Sequence, residues 1–316
     1  MTKRALLFPG QGSQAVGMGV ELAAAFPVAR EVFEEVDEAL GQSLFRLMSE
    51  GPSETLTLTE NAQPALLATA IAVLRVLERD GGFDITAQSA FVAGHSLGEY
   101  AALAAARALS LAETARLLRR RGQAMQAAVA PGLGAMAAVL GIELEAAQTL
   151  AADAAQATGK VCAAANDNGG GQVVLSGDKD AVDRAVALAA ERGYKRAILL
   201  PVSAPFHSPL MEPAAEAMAQ ALATVEISPP VVPLVANVTA SAVRDPSEIR
   251  RLLVEQVTGL VRWRESMLYL KAQGVEEVVE LGTGKVLSGL MRRIDKEIGA
   301  RSVGGPAEIE AFLSSL

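Results

Sequence analysis

The sequence predicts an α/β fold in which a large domain on a parallel sheet is interrupted by a small antiparallel subdomain. Three observations carry that expectation. Residues 90–93, Ala-Phe-Val-Ala, are an uninterrupted apolar run suited to a buried parallel strand. A glycine-flanked turn and an alanine-rich helix follow at once, and strand, tight turn and helix in that order are the unit of doubly wound α/β folds. In the middle of the chain the order becomes βαββαβ over about 70 residues, the ferredoxin-like pattern. The length of 316 residues suits such a pair of domains.

From the beginning of the chain, residues 5–8 form an apolar strand ending in Pro-Gly-Gln-Gly-Ser-Gln, and a long helical region reaches to about residue 40. A helix over 63–79 is rich in Ala and Leu, with Pro64 in its first turn, where no amide hydrogen is needed. After the strand at 90–93 come helices over 99–108 and 111–128. The inserted unit reads as strands at 135–140, 161–165, 172–176 and 196–200, with helices at 144–157 and 181–191. Gly169-Gly170-Gly171 and Gly177 mark its turns. The small ferredoxin-like subdomain therefore occupies 130–204 and splits the large domain into 1–129 and 205–316. Beyond it lie a helix to about residue 223, a proline-rich strand region at 229–238 and a helix at 249–258. A last strand at 275–281 and a final helix close the chain.

Composition excludes several functional classes. With 51% hydrophobic and 20% charged residues the chain has ample material for a core, so global disorder is out. Lys and Arg number 28 against 36 Asp and Glu, a formal charge of −8, where a nucleic-acid binder would show a basic excess. A single cysteine, Cys162, makes no internal disulfide, and with only two histidines it argues against a zinc site. The apolar run after Lys3 and Arg4 is too short for a signal peptide. The longest uncharged stretch, 122–142, is broken by Pro131-Gly132 and Gly134, which suits a loop between helix and buried strand better than a membrane span. A cytoplasmic protein is expected, monomeric by default, with no nucleic-acid or membrane partner.

Gly94-His95-Ser96-Leu97-Gly98 fits the nucleophile elbow G-x-S-x-G and makes the large domain α/β-hydrolase-like. Ser96 is the candidate nucleophile, and the Leu97 amide at a helix N-terminus faces the reacting oxygen. The pentapeptide alone is a weak signal, and a glycine-rich turn with an inert serine is the bland alternative. Its place between a buried strand and a helix is what makes it specific. Of the two histidines, His95 adjoins the serine and points away from its hydroxyl. That leaves His207, on a loop bracketed by Pro205 and Pro209, as the base, against the plain reading of a surface histidine. No Asp or Glu between them stands out as a third member, and a carbonyl oxygen can orient the imidazole instead.

On a helical wheel Arg121 falls at the edge of the apolar face made by Leu111, Ala115, Leu118, Gly122 and Met125, whereas Arg119 and Arg120 can reach solvent. A buried guanidinium wants an anion, either a carboxylate of the protein or one on a substrate. Gly282-Thr283-Gly284-Lys285 resembles a phosphate loop only superficially, because Val279 and Val286 stand where glycine and Ser or Thr are needed.

Phe8-Pro9-Gly10-Gln11-Gly12-Ser13-Gln14, Gly94 to Glu99, Arg121-Gly122, Pro205-Phe206-His207-Ser208 and Gln256 seven residues before Trp263 occur in this order. The whole pattern resembles the malonyl-coenzyme A:acyl carrier protein transacylases of type II fatty acid synthesis. The resemblance implies that Ser96 is acylated with His207 as its base, and that amides of Gln11 and Leu97 form the oxyanion hole. It further implies that Arg121 grips the malonyl carboxylate and that the main-chain carbonyl of Gln256 orients His207. Phe206 and Met125 join the substrate-binding set, Phe206 by narrowing the space around the malonyl α-carbon. The implied reaction is a ping-pong transfer from malonyl-coenzyme A to the phosphopantetheine thiol of an acyl carrier protein, without cofactor or metal. Leu260 stands where the family often has proline, which bears on the loop around Gln256. Since such carrier proteins are acidic, Lys195, Arg196, Lys285, Arg292 and Arg293 are docking candidates by composition. The competing readings are a serine thioesterase or esterase, a malonyl transferase serving polyketide synthesis, and a non-catalytic carrier-binding module.

Overall fold

Two sheets organise the chain, whose computed structural model describes every residue except Met1, Lys195 and Ser203. The strands in chain order are β1 (Arg4–Phe8), β2 (Phe91–Gly94), β3 (Gly134–Leu140), β4 (Cys162–Gly169) and β5 (Gln172–Asp178). They continue as β6 (Arg196–Leu199), β7 (Leu234–Ala236), β8 (Ser241–Val243), β9 (Glu277–Leu281) and β10 (Gly299–Val303). The larger sheet has the order β10-β9-β1-β2-β7-β8. Every neighbouring pair in it is parallel except β7 with β8. A parallel sheet is buried on both faces, and β1 alternates accordingly. Leu6 and Phe8 join Val92, Val279 and Leu281 in one apolar cluster, while Ala5 and Leu7 pack with Ala93, Val278, Trp263 and Met267 on the opposite face.

The smaller sheet has the order β4-β5-β3-β6, with every pair antiparallel. The helices Leu144–Thr158 and Lys179–Glu191 close over it, and Val139, Val173 and Leu175 meet Leu150 and Ala185 in a separate core. This arrangement is consistent with the ferredoxin-like expectation. Its edge strand β4 is irregular in register and reaches out of the unit. The Val261 amide donates to the Ala165 carbonyl and the Asp167 amide to the Val261 carbonyl, both at 2.9 Å. The small sheet is thereby stitched to the segment that leads into Trp263.

Where elements depart from expectation, the cause is visible. The helical region before residue 40 is two helices, Val20–Ala25 and Pro27–Leu40, parted at an extended Phe26, because a proline disfavours helical backbone in the residue before it. The helix expected at 63–79 begins at Thr59, so Pro64 lies inside it rather than in its first turn. Burial of Asn61, Ala62 and Gln63 overrides the local preference there. Gly177 is not a turn residue but part of β5. A Cβ at that position would lie 2.0 Å from the Val161 carbonyl oxygen, so the glycine serves close approach of neighbouring chain. The region 229–238 yields only the short β7, since Pro229, Pro230 and Pro233 offer no amide hydrogens to a ladder. β9 is not the last strand: β10 and the helix Pro306–Leu313 follow. β10 reads Gly-Ala-Arg-Ser-Val on a half-exposed sheet edge and so lacks the apolar run of an inner strand. Within 122–142 one helix ends and β3 begins, as expected. No described helix is long and apolar enough to cross a membrane.

Gly177→Ala is expected to destabilise the protein by about 1–3 kcal/mol through overpacking, even though alanine restricts the unfolded chain. A urea titration checks this; an unchanged midpoint would mean that β5 has room for the methyl group.

Candidate active site

Ser96 sits between β2 and the helix Gly98–Ala105 with φ 53°. That left-handed backbone costs a serine of order 1–3 kcal/mol, so the surroundings must impose it. A Cβ on Gly94 would lie 1.9 Å from the Gly98 carbonyl group, and one on Gly98 would lie 2.1 Å from the Phe8 carbonyl oxygen. Only glycine at both positions lets strand, turn and helix pack so closely. Asn237, at the end of β7, clamps the turn from outside. Its Oδ1 accepts from the Ser96 amide at 2.8 Å and its Nδ2 donates to the Gly94 carbonyl at 2.7 Å.

His207 approaches from the opposite wall, also in the left-handed region with φ 54°. Its Nε2 lies 2.7 Å from Ser96 Oγ and its Nδ1 2.9 Å from the main-chain carbonyl oxygen of Gln256. A carbonyl only accepts, so Nδ1 carries the hydrogen and Nε2 presents a lone pair to the serine hydroxyl. Burial above all, and then the nearby Arg121 cation, push the His207 pKa down to about 3. The imidazole is therefore neutral and ready to accept a proton. The Gln256 carbonyl is available because it lies in the last turn of the helix Pro246–Thr258, where carbonyls have no partner within the helix. Gly259 is extended and ends the helix; Leu260 in place of proline leaves the contact with His207 intact. His95 turns away, its Nε2 2.9 Å from Asn168 Oδ1 and its ring 5.4 Å from that of Trp263.

Arg121 is 1% exposed. Its Nη1 donates to Gln63 Oε1 at 3.0 Å, and its Nη2 donates to Gln256 Oε1 at 2.8 Å and to Ser96 Oγ at 3.1 Å. The guanidinium also stands over the Tyr100 ring at 5.7 Å, while Nε is buried without a partner. Of the two anions open to a buried arginine, a protein carboxylate in ion-pair contact is absent among the described residues. Arg119 corrects the helical-wheel reading. It is half-buried, with Nε and Nη2 buried and unpaired, because the helix Leu111–Ala128 is packed by four other helices rather than along one face. Arg120 is exposed as expected.

These groups open onto a cleft of about 380 Å³. Gln11, Leu97, Met125 and Phe206 line it together with Ser96, Arg121 and His207, whereas Gln256 lies behind the wall. The amides of Gln11 and Leu97 have no hydrogen-bond acceptor among the described residues. Met136 and Asn166 add a wall from the small sheet. The arrangement can form and break an ester on Ser96, and it holds a fixed positive charge beside the nucleophile.

Over residues 5–296 the chain matches the family model described as acyl transferase domain. The chain belongs to this acyl transferase family. It is 46% identical over 316 residues to the malonyl CoA-acyl carrier protein transacylase of Bacillus subtilis, covering 100% of this chain and 98% of that one. The crystal structure of the acyl-carrier-protein-S-malonyltransferase from Bartonella henselae superposes with a TM-score of 0.96 at 54% identity over 99% of both chains. A malonyl-transacylase solved in complex with its type II polyketide acyl-carrier protein gives a TM-score of 0.96 at 40% identity over 100% of both chains.

Sequence reasoning missed Gln63, Glu99 and Asn237 as parts of this acyl transferase site, and saw Gln256 only through its main chain. Asn237 alone left a visible trace, as a polar residue inside an apolar run. Among the docking candidates, Arg196 is exposed, while Lys285 pairs with Glu308 at 3.2 Å and Arg293 donates to Gln172 at 3.4 Å. Arg292 donates to the Ala300 carbonyl at 2.8 Å, and Lys195, like Ser203, lies outside the described residues.

The His207 ring is expected to stay neutral from pH 8 to pH 5, since its folded pKa lies far below that window. NMR titration of the ring resonances reads this directly, and a midpoint near the usual ~6.5 would contradict it. A fluorophosphonate probe is expected to label the protein and to leave the Ser96→Ala variant unlabelled.

Proposed function

We propose that the chain moves a malonyl group from malonyl-coenzyme A to the phosphopantetheine thiol of an acyl carrier protein through a malonyl ester on Ser96. The observation that carries this reading is Arg121, a buried guanidinium facing the nucleophile with no carboxylate partner. A site for neutral acyl groups would leave that guanidinium without a carboxylate in direct contact, where burial makes the missing partner costly; the free carboxylate of malonate supplies one. Relatives named as malonyl transacylases support the same substrate.

In the first half-reaction His207 Nε2 takes the Ser96 proton as Oγ attacks the thioester carbonyl. The Gln11 and Leu97 amides hold the tetrahedral oxyanion, worth about 3–4 kcal/mol per donor in comparable sites. Collapse breaks the C–S bond, and His207 returns the proton to the departing coenzyme A thiolate. The carrier thiol then gives its proton to His207 and attacks the ester, and Ser96 leaves with that proton. Gln256 orients the imidazole through its carbonyl. Arg121 fixes the acyl carboxylate, where its planar fork suits a two-point grip, and Met125 and Phe206 wall the acyl pocket.

The proposed chemistry uses no cofactor and no metal. The catalytic body is residues 1–129 with 205–316, and 130–204 is the inserted subdomain. The protein works in the cytoplasm as a monomer, without nucleic-acid or membrane partners. Serving a polyketide carrier is the second reading, favoured by the likeness to the transacylase solved with such a carrier.

Intact-mass measurement after mixing with malonyl-coenzyme A is expected to show one malonyl adduct, absent from Ser96→Ala. Arg121→Ala is expected to lose about 100-fold or more in kcat/KM for the malonyl thioester, as when a buried ionic contact is removed, while the acetyl thioester is little affected. Retained malonyl preference in that variant would overturn the carboxylate grip.

A further inference from the structure

The steps above leave unused a buried carboxylate that lies at the nucleophile elbow. Glu99 directly follows the elbow and is 1% exposed. Its Oε2 accepts from Gln256 Nε2 at 2.8 Å and from the Asn237 amide at 3.1 Å, while Oε1 is buried without a partner. Gln256 Nε2 also donates to the Ser96 carbonyl at 2.9 Å, and its Oε1 accepts from Arg121 Nη2. A carboxylate accepts and never donates, so Glu99 dictates which end of the Gln256 amide faces it and turns Oε1 toward Arg121. A buried anion and a buried cation thus stand on either side of one amide, each incompletely satisfied. At low dielectric such charges act on each other strongly across that gap.

We propose that Glu99 is a positioning residue and the resting counter-charge of Arg121, acting through Gln256, and that it takes up a proton when an acyl carboxylate docks on Arg121. The proposal rests on the malonyl reading only for the identity of that docking anion. Burial raises the Glu99 pKa to about 7, against hydrogen bonds from Gln256 and Asn237 and the field of Arg121, which favour the ionised form. A second carboxylate on Arg121 cancels that field, and the proton binds. The other titratable groups of the cluster are Tyr100, His95 and His207. Burial lifts the Tyr100 hydroxyl far above neutrality and lowers both imidazoles, so in each case it favours the neutral form.

The experiment is single-turnover loading with malonyl-coenzyme A in weakly buffered solution containing an indicator dye, with the adduct counted by intact mass. Exchanging thioester for ester near pH 7, with the released thiol protonated, neither consumes nor frees protons, so uptake reports the protein. Wild type is expected to bind about half a proton per adduct at pH 7, less at pH 6 where Glu99 is already protonated, and more at pH 7.5. Uptake by a histidine would slope the other way. Glu99→Gln keeps an acceptor for Gln256 and is expected to load without proton uptake, with KM for malonyl-coenzyme A lowered several-fold because Arg121 no longer has an internal competitor. Glu99→Ala, which frees the Gln256 amide, is expected to raise KM instead. Wild-type loading without uptake, uptake that persists in Glu99→Gln, or a KM raised alike in both variants would overturn the role of Glu99. A wild-type protein that acquires no adduct would instead defeat the malonyl reading itself.

Discussion

Gln256 holds the centre together by using its main chain and both ends of its side chain at once. The carbonyl orients His207, Oε1 receives Arg121, and Nε2 ties the back of the elbow to Glu99. Three groups from distant parts of the chain are therefore fixed against one residue in the final turn of one helix. Such a hub suits a site that must keep a cation out of water beside a nucleophile. Neutral amides of Gln63 and Gln256 satisfy part of the guanidinium without cancelling its charge. A carboxylate in direct contact would have satisfied it better and left nothing for a ligand to bind.

Two of the four described non-glycine residues with left-handed backbone belong to the chemistry, the others being Arg107 and Ala240. Ser96 and His207 both adopt left-handed backbone and face each other at hydrogen-bond distance. Such backbone is uncommon outside glycine, although histidine adopts it more readily than most residues. Asn237 imposes the first from the sheet, while the Ser208 hydroxyl, donating to the Pro205 carbonyl at 2.7 Å, braces the loop that carries the second. The reacting atoms are set before substrate arrives, so little reorganisation is left for the reaction itself.

What could be read from the sequence follows from how each feature constrains residue identity. The elbow was legible because its close approaches admit only glycine at positions 94 and 98, and glycine leaves a mark in the sequence. Burial of Arg121 was legible from periodicity, since a helix face is a local property. The Gln256 carbonyl emerged only through family likeness, because a main-chain acceptor imposes no side chain. Gln63 left no signal because its partner lies far along the chain and nothing nearby distinguishes it from a solvated residue, while Glu99 showed only as the end of the elbow motif, its contacts with Gln256 and Asn237 being equally distant in sequence. Arg119 misled because one helical wheel ignores neighbours on the remaining faces. β10 was missed because an edge strand needs no apolar run.

The reach of β4 toward Val261 has an evolutionary consequence. Besides the two main-chain contacts, Asp167 pairs with Arg264 at 2.9 Å and Asn168 supports His95 behind the nucleophile. The insert is therefore not a cassette. Recombination between relatives that exchanges it while leaving the 261–264 segment unmatched would loosen the floor beneath the elbow, so the two stretches must be inherited as one unit although about ninety residues of chain lie between them.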